Sequence, residues 1–242
     1  MSQRQGGRAA VATVLGAAVV VLVGFAVGIA ATLLAAIGLV SAGVPVFEDM
    51  VVAIVVSVIG QGLGFGVVAL GYLRYRGLGI AFLRLRVPTL RDVGWMALGL
   101  VIMFVVLIGI GALIELLGLP EPADHQIADL GAETPELLLV LVPLSFLVIG
   151  PGEELLFRGV IQTRLVEAFG MGAGIGVTSV IFSLAHLAAY GGAGLVIALG
   201  VLFVMSVILG VLYEVTENLV VPVVIHGAYN AILFLGLFVS IT

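Results

Sequence analysis

The stretch IGPGEELLFR, residues 149–158, decides how this chain must fold, because it sets two adjacent glutamates, Glu153 and Glu154, inside apolar sequence. Residues 137–149 upstream are almost wholly apolar, and the chain returns to apolar sequence by residue 175. A charged side chain near the centre of a bilayer costs about 2.5–3.5 kcal/mol on insertion scales, and such residues usually mark functional sites. Two of them side by side therefore predict a functional site within the membrane.

The composition predicts an integral membrane protein. Of the 242 residues, 62% are hydrophobic and only 10% are charged, whereas a soluble globular domain has about 25% charged residues. The apolar runs are continuous and lack the two-residue alternation of a membrane barrel. We therefore predict an all-α, polytopic membrane helical bundle of about seven to eight transmembrane helices, with the lipid bilayer as a partner.

No basic segment is suited to nucleic acid. The chain has no cysteine, which excludes disulfides, thiolate metal sites and a cysteine nucleophile.

Seven apolar segments are long enough to span a bilayer core of about 30 Å. They cover residues 10–40, 51–73, 93–118, 136–157, 172–189, 194–213 and 219–240. A break of the first segment near Gly38 would add an eighth span. The fourth helix is predicted to continue to Phe169, with a kink at residues 150–152, because Gly-Pro-Gly weakens the helical hydrogen bonding.

The charge pattern predicts the orientation of the chain. The basic residues are all arginine, and with the N-terminus in the cytoplasm all of them fall on the cytoplasmic side: Arg4, Arg8, Arg74, Arg76, Arg84, Arg86, Arg91, Arg158 and Arg164. The opposite loops are acidic. This distribution follows the positive-inside rule. The absence of lysine and the acidic outer loop favour a prokaryotic cell membrane as the location.

Three polar groups are predicted to meet inside the bundle. Glu153 lies 16 residues before Phe169, and His186 lies 16 residues after Gly170, so an antiparallel hairpin brings both to about 24 Å from the turn. His226 and Asn230 share one helix face at i, i+4 spacing. Whether His226 reaches the same depth is left open by the sequence.

This set of side chains can perform hydrolysis without a protein nucleophile. A carboxylate with a histidine can activate water as a general base, and a histidine with an asparagine amide can donate hydrogen bonds to an oxyanion. Glu154 and Arg158 stand at i, i+4 spacing. This spacing predicts an intrahelical ion pair, or an arginine that keeps the carboxylates ionised and fixed within a membrane cavity, and the two roles are compatible. The same residue types also ligate a divalent metal such as zinc, with Glu153, His186 and His226 as the ligand set, although no HExxH motif is present.

The three motifs Glu153-Glu154-x-x-x-Arg158, Phe182-x-x-x-His186 and His226-x-x-x-Asn230 resemble those of a known family. These are the CPBP intramembrane proteases, which include CAAX prenyl proteases, bacteriocin-processing enzymes and abortive infection proteins, and are related to the Ras-converting CAAX endopeptidase. The motifs occur in the family's order on separate predicted helices, and the resemblance covers about residues 136–236. One motif alone would be weak, whereas three in order are specific.

The resemblance implies an intramembrane endopeptidase with a conical cavity open to the cytoplasm. By this resemblance Glu153 and His186 activate the attacking water, His226 and Asn230 form the oxyanion hole, and Glu154, Arg158 and Phe182 support the site. We expect residues 1–242 to form a single transmembrane domain, with accessory helices at 1–118 and the catalytic helix core at 136–240. The family is often labelled as metalloprotease, but we favour a mechanism that requires no cofactor. The expected substrate is a membrane-bound protein or peptide, either a prenylated CAAX-type protein or a peptide precursor.

Two other function classes compete with the protease. Carboxylate and histidine clusters also build proton relays, so a proton-coupled transporter is one alternative, although no internal repeat of broken helices supports it. A membrane scaffold or immunity protein without catalytic activity is the other.

Several residues near these motifs have plainer interpretations. We expect His125 to be solvated in the polar outer loop and Glu214 to lie at the membrane interface. Residues 78–91 are read either as a short interfacial helix or as a solvated loop. The pairs Gly60-x-x-x-Gly64 and Gly62-x-x-x-Gly66 predict close helix packing within the fold.

Overall fold

The computed structural model describes residues 2–242, with side chains described from Ala10 onward. Over this range seven helices are long and apolar enough to cross a membrane. They are Ala10–Ser41, Met50–Tyr75, Leu90–Leu116, Glu136–Phe169, Met171–Ala189, Leu195–Thr216 and Val220–Ile241. The all-α membrane bundle is therefore confirmed. The first helix passes Gly38 without a break, so the described residues give seven spans.

The helices follow one another with short connections. We label them α1 (Ser2–Ser41), α2 (Met50–Tyr75), α3 (Leu90–Leu116), α4 (Gln126–Glu133), α5 (Pro135–Leu144), α6 (Gly150–Glu154), α7 (Thr163–Phe169), α8 (Met171–Ala185), α9 (Leu195–Thr216) and α10 (Val220–Ile241). Two π-helical segments, Ser145–Ile149 and Leu155–Gln162, join α5, α6 and α7 into one continuous helical run, which we call the long helix. The expected extension of the fourth span to Phe169 is confirmed.

Side-chain caps start two of the spans. The carboxylate of Asp49 accepts a hydrogen bond from the backbone N–H of Val52 at 3.1 Å. Thr89 and Asp92 form a reciprocal capping box at the start of α3. Such caps satisfy N–H groups that the first turn of a helix leaves without partners. They fix where α2 and α3 enter the membrane.

Gly60, Gly62 and Gly64 let α2 approach both of its neighbours closely, as the spacing predicted, whereas a Cβ at Gly66 would meet nothing within 4 Å. A Cβ at Gly64 would lie 2.5 Å from the backbone of Gly28 on α1, and a Cβ at Gly152 would lie 2.7 Å from the carbonyl oxygen of Gly62. Only a residue without a side chain permits such contacts between helix backbones. The second contact presses α2 directly against the residue that precedes Glu153.

Arginine contacts define one end of the bundle, which we call the arginine end. The guanidinium of Arg164 donates to the hydroxyl of Tyr72 at 3.0 Å, and Arg86 donates to the carbonyl of Thr216 at 2.8 Å. Arg84 forms an ion pair with Glu214 at 2.8 Å. Arg164 thus joins α7 to α2, and Arg84 and Arg86 join the segment before α3 to α9. Arg158, which the charge pattern assigns to the same side, is instead fully buried beside Glu154. The side chains of Arg4 and Arg8 lie outside the described residues, and the cytoplasmic location of this end stays a prediction.

Before α3, the segment 78–91 forms a short 3₁₀ helix, Ile80–Leu83, followed by Arg84 with a positive φ of 50°. It therefore combines a short helix with a loop. One detail differs from the sequence interpretation. Glu214 does not lie at an open interface, since its side chain is only 8% exposed. It also accepts a hydrogen bond from the amide of Gln162 at 2.9 Å. The hydropathy pattern missed this burial because Glu214 lies near a helix end.

Candidate active site

The two glutamates lie on α6, between the two π-helical segments. Such π turns shift the register of the side chains that follow them and are frequent at functional sites. Glu153 is half-buried, whereas Glu154 is fully buried. The side chain of Glu153 keeps 16% of its surface exposed, although its Oε2 atom is buried, whereas the side chain of Glu154 has no exposed surface.

Glu154 holds His226 on one side and Arg158 on the other. Its Oε1 atom lies 2.9 Å from Nδ1 of His226, and its Oε2 atom lies 3.1 Å from Nε of Arg158. Both members of the Glu154–Arg158 pair are fully buried. Because a carboxylate only accepts hydrogen bonds, Nδ1 of His226 carries the proton. Its other ring nitrogen, Nε2, is then directed away from Glu154.

His186 caps the end of α8 and faces the other glutamate. Its Nδ1 atom lies 2.8 Å from the carbonyl oxygen of Phe182, and a carbonyl only accepts, so Nδ1 donates. Nε2 of His186 lies 3.7 Å from Oε2 of Glu153, and Nε2 of His226 lies 3.9 Å from the same oxygen. Both distances exceed a direct hydrogen bond. The expectation that Glu153 and His186 come level is confirmed, and the open question of His226 is answered, because it reaches the same carboxylate.

The ring of Phe182 supports these groups by packing. Its centroid lies 4.6 Å from that of His186 and 6.2 Å from that of His226. The guanidinium carbon of Arg158 lies 5.1 Å from the same ring centroid, a cation–π distance. Phe182 is itself buried. It therefore fixes the spacing of both histidines and of the buried cation.

Asn230 lies one turn after His226 on α10 and is half-buried. The i, i+4 spacing carries its amide to the same helix face as the imidazole. The structure thus brings Glu153, Glu154, His186 and His226 together, and sets Asn230 on the adjoining turn.

Two residues near the site were not predicted from the sequence. The backbone of His125 pairs with that of Tyr190, and their rings meet edge to face at 4.9 Å. Burial, and next the negative charge of Glu153, raise the pKa of Tyr190 to about 12. Burial, and next the charge of His186, lower the pKa of His125 to about 4. The expectation that His125 is solvated is therefore wrong: the outer loop folds back against the site, which no periodic pattern could indicate.

The loops beside His186 belong to the end of the bundle opposite the arginine end. The amide of Gln126 donates to the carbonyl of Ala188 at 3.2 Å, and the backbone at Glu121 fills the space that a Cβ at Gly194 would need. With the arginine end in the cytoplasm, these loops lie on the other side. The resemblance predicts instead a cavity open to the cytoplasm. Labelling of the outer loop in intact cells distinguishes these two predictions.

Glu153, His186 and His226 are the residues that a metal-dependent mechanism would use as ligands. Among the described residues no group of three or more His, Cys, Asp or Glu side chains is arranged to hold a metal ion. Nδ1 of each histidine is held by Glu154 or by the carbonyl of Phe182, which leaves Nε2 of each ring directed toward Glu153. A second nitrogen held in this way is also usual in metal-bound histidines.

The fold and the buried polar cluster define the class: a polytopic helical membrane protein with an ionisable site among its helices. Residues 135–232 match the family model of Rce1-like type II CAAX prenyl endopeptidases. The match begins at the first residue of α5 and includes all three motifs. The resemblance to the CAAX protease family is thereby confirmed, and the family is one of membrane peptidases. No curated protein matches the chain significantly, and no solved structure does.

Proposed function

We propose that this protein is an intramembrane endopeptidase in which Glu153 and His186 activate a water molecule to hydrolyse a peptide bond. The observation that carries the proposal is the position of one carboxylate oxygen of Glu153, 3.7 Å and 3.9 Å from the Nε2 atoms of two histidines. The match of residues 135–232 to the Rce1-like family model supports the reaction class.

The hydrogen-bond roles of His186 support water activation. Since its Nδ1 donates to the carbonyl of Phe182, Nε2 of the neutral ring is an acceptor, and it faces another acceptor, the carboxylate of Glu153. These two acceptor atoms lie 3.7 Å apart. A water molecule between them satisfies both, because it donates one hydrogen bond to Nε2 of His186 and the other to Glu153. The lone pairs of that water then remain free to attack a carbonyl carbon. Glu153 takes the proton as the attack proceeds, as a general base.

His226 and Asn230 are proposed to stabilise the oxyanion. Because Nδ1 of His226 donates to Glu154, Nε2 can donate only when the ring is an imidazolium. In that form the ring pairs with the carboxylate of Glu154, 2.9 Å from Nδ1, and Arg158 balances the second negative charge. The amide of Asn230 supplies a further donor. Preorganised donors of this kind are worth about 10²–10³ in kcat each.

The substrate is proposed to be a membrane-associated protein or peptide, either prenylated or an apolar precursor, since the site lies among membrane-spanning helices. No resident metal is required in this mechanism. Chelation of divalent metals is expected to leave cleavage unchanged, and metal analysis of the purified protein checks the same point.

The experiment that tests the proposal compares protein termini by mass spectrometry in membranes carrying the wild type or Glu153→Gln at matched expression. Glu217→Gln is the matched control, because Glu217 is an exposed carboxylate at the end of α9. New termini should occur with the wild type and the control and be absent with Glu153→Gln.

Identical termini in all three membranes, with the proteins folded and equally abundant, would contradict the protease proposal for that host. Normal biological function of Glu153→Gln would favour the scaffold. A proton flux in liposomes that Glu153→Gln abolishes would favour the transporter.

A further inference from the structure

Four buried polar side chains between the site and the arginine end have polar atoms without a hydrogen-bond partner in the described part of the chain. They are Arg158, Gln162, Ser179 and Ser206, and none of the four has any exposed surface. The atoms concerned include both Nη atoms of Arg158, Oε1 of Gln162 and the two serine hydroxyls. A buried polar group without a partner costs about 1–3 kcal/mol, so four such side chains together require an explanation.

Contacts between the helices place one of these side chains, Gln162, between α8 and α9. Gln162 donates to the carbonyl of Gly210 on α9 at 2.9 Å. A Cβ at Gly210 would lie 2.6 Å from Oε1 of Gln162 and 3.1 Å from Cγ2 of Ile175 on α8. Gln162, Ile175 and Gly210 therefore form one layer across the long helix, α8 and α9.

The next layer toward the site contains the remaining three polar residues. Arg158 precedes Gln162 by four residues, Ser179 follows Ile175 by four, and Ser206 precedes Gly210 by four. Because α8 runs antiparallel to both the long helix and α9, each of these steps is about one turn in the same direction. By this step the Cα atoms of Arg158, Ser179 and Ser206 fall at similar depth, one turn closer to the site than Gln162.

The two serines do not use their usual local partner. Serine and threonine inside a helix commonly bond to the carbonyl four residues earlier. Thr178 does so, donating to Gly174 at 2.8 Å, and so does Ser145, donating to Leu141 at 2.8 Å. The hydroxyls of Ser179 and Ser206 have no such bond.

We infer that Arg158, Ser179 and Ser206 form a buried chamber that binds internal water. Water is the ligand that fits, because it can accept from the guanidinium and both accept from and donate to the hydroxyls. A small anion fits less well, since the charge of Arg158 is already balanced by Glu154 at 3.1 Å.

A polar route connects this chamber with the arginine end. The amide of Gln162 donates to Glu214 at 2.9 Å, and Glu214 pairs with Arg84, whose side chain is 25% exposed. We assign this route as the path by which water enters the chamber. A role in supplying water or protons during turnover rests on the proposed function, but the chamber itself does not.

The chain has no cysteine, so a single introduced thiol reports water access cleanly. Ser206→Cys replaces the hydroxyl by a thiol of similar size, and Ser179→Cys is a second probe if the first variant does not fold. The dry control is Ala69→Cys, since Ala69 is fully buried in an apolar cluster. The aqueous control is Asp124→Cys in the exposed outer loop.

The purified full-length variants in micelles are treated with Ag⁺, and the thiol left unreacted is alkylated under denaturing conditions and quantified by mass spectrometry. The cysteines at 206 and 179 should react at least about tenfold faster than the cysteine at 69, because a thiol reacts as the thiolate, which needs water. If the cysteines at 206 and 179 react as slowly as the cysteine at 69, the inference of a water-filled chamber is wrong.

The entry route is tested by adding Gln162→Leu to Ser206→Cys. Slower reaction with Ag⁺ is expected, since leucine interrupts the polar route to Glu214. An unchanged rate would show that water enters from the catalytic side instead, and would overturn the route. Because thiol reactivity is measured without substrate, failure of this inference is distinguishable from failure of the proposed peptidase function.

Discussion

The Glu154–Arg158 pair should show strong energetic coupling, and a double-mutant cycle with Glu154→Met and Arg158→Met measures it. Both side chains are fully buried. Removing one partner of a buried pair leaves an uncompensated charge and costs about 3–5 kcal/mol in the free energy of unfolding. Arg158 also interacts with Glu153, so the cation keeps some compensation after Glu154→Met. Glu154→Met should therefore lower the free energy of unfolding by about 3 kcal/mol.

Arg158→Met should be the more damaging single change, near the upper figure of about 5 kcal/mol, because it leaves two adjacent carboxylates without the buried cation. The double variant removes both charges and replaces them with apolar chains of similar length. The double variant should still lose about 1–3 kcal/mol in the free energy of unfolding, because His226 no longer has the buried acceptor that Glu154 provides. Independent effects would instead add to about 8 kcal/mol, so the coupling should be about 5 kcal/mol.

Reversible unfolding of the purified variants in mixed micelles, followed by circular dichroism, measures these differences. About 5 kcal/mol corresponds to between three and four decades in the folding equilibrium constant. A double variant as unstable as the sum of the single variants would refute the ion pair as the reason these residues are buried together.

Four further predictions follow from the site and its surroundings. Asn230→Ala should lower kcat by a factor of about 10²–10³ with little change in KM. If kcat/KM fell equally through a higher KM instead, Asn230 would not be an oxyanion donor. Gly152→Ala should cost about 1–3 kcal/mol in unfolding free energy through overpacking, whereas Gly66→Ala, which meets nothing within 4 Å, should be neutral or slightly stabilising. His125, with its pKa lowered to about 4, binds a proton more readily when undocked. The outer loop should therefore become sensitive to protease as the pH falls from 6.5 toward 4, an effect that His125→Phe should abolish. Asp124→Cys should be labelled by an impermeant maleimide on intact cells. Labelling only after permeabilisation would show that the predicted orientation is wrong and that the loops beside the site face the cytoplasm.

The spans could be predicted from the sequence because the hydrophobic thickness of a bilayer sets their length. The predicted segments and the observed helices agree within a few residues for six of the seven spans. The fourth was expected to run on to Phe169 and does. What composition could not reveal is that Gly150 and Pro151 begin a short α-helix between two π-helical segments, since π turns depend on how neighbouring helices press on the backbone.

The pairing of Glu153 with His186 was predictable because both lie equally far from one tight turn. His226 was not, since α10 is connected to the others through α9 and its tilt is set by packing. The separate tasks of the two glutamates also could not be read from a Glu-Glu dipeptide. Adjacent residues on a helix point about 100° apart. Only the tertiary structure decides that Glu154 contacts Arg158 and Nδ1 of His226, while Glu153 faces Nε2 of both histidines.

The contacts of His125 with Tyr190 lay beyond prediction for a different reason. Both residues lie in irregular connections, where no period relates sequence position to direction. The polarity of the outer loop indicated solvent, but backbone pairing between the two connections draws the imidazole inward.

The measurement that tests the central claim most directly is cleavage by purified protein in proteoliposomes, using the substrate identified from the new termini. Wild type, Glu153→Gln and Glu217→Gln are compared by mass spectrometry of the products. The account predicts cleavage at one bond by the wild type and by Glu217→Gln, and a loss of at least about 10²-fold for Glu153→Gln. Cleavage by Glu153→Gln at the wild-type rate, with the protein folded, would contradict the assignment of Glu153 as the base that activates water.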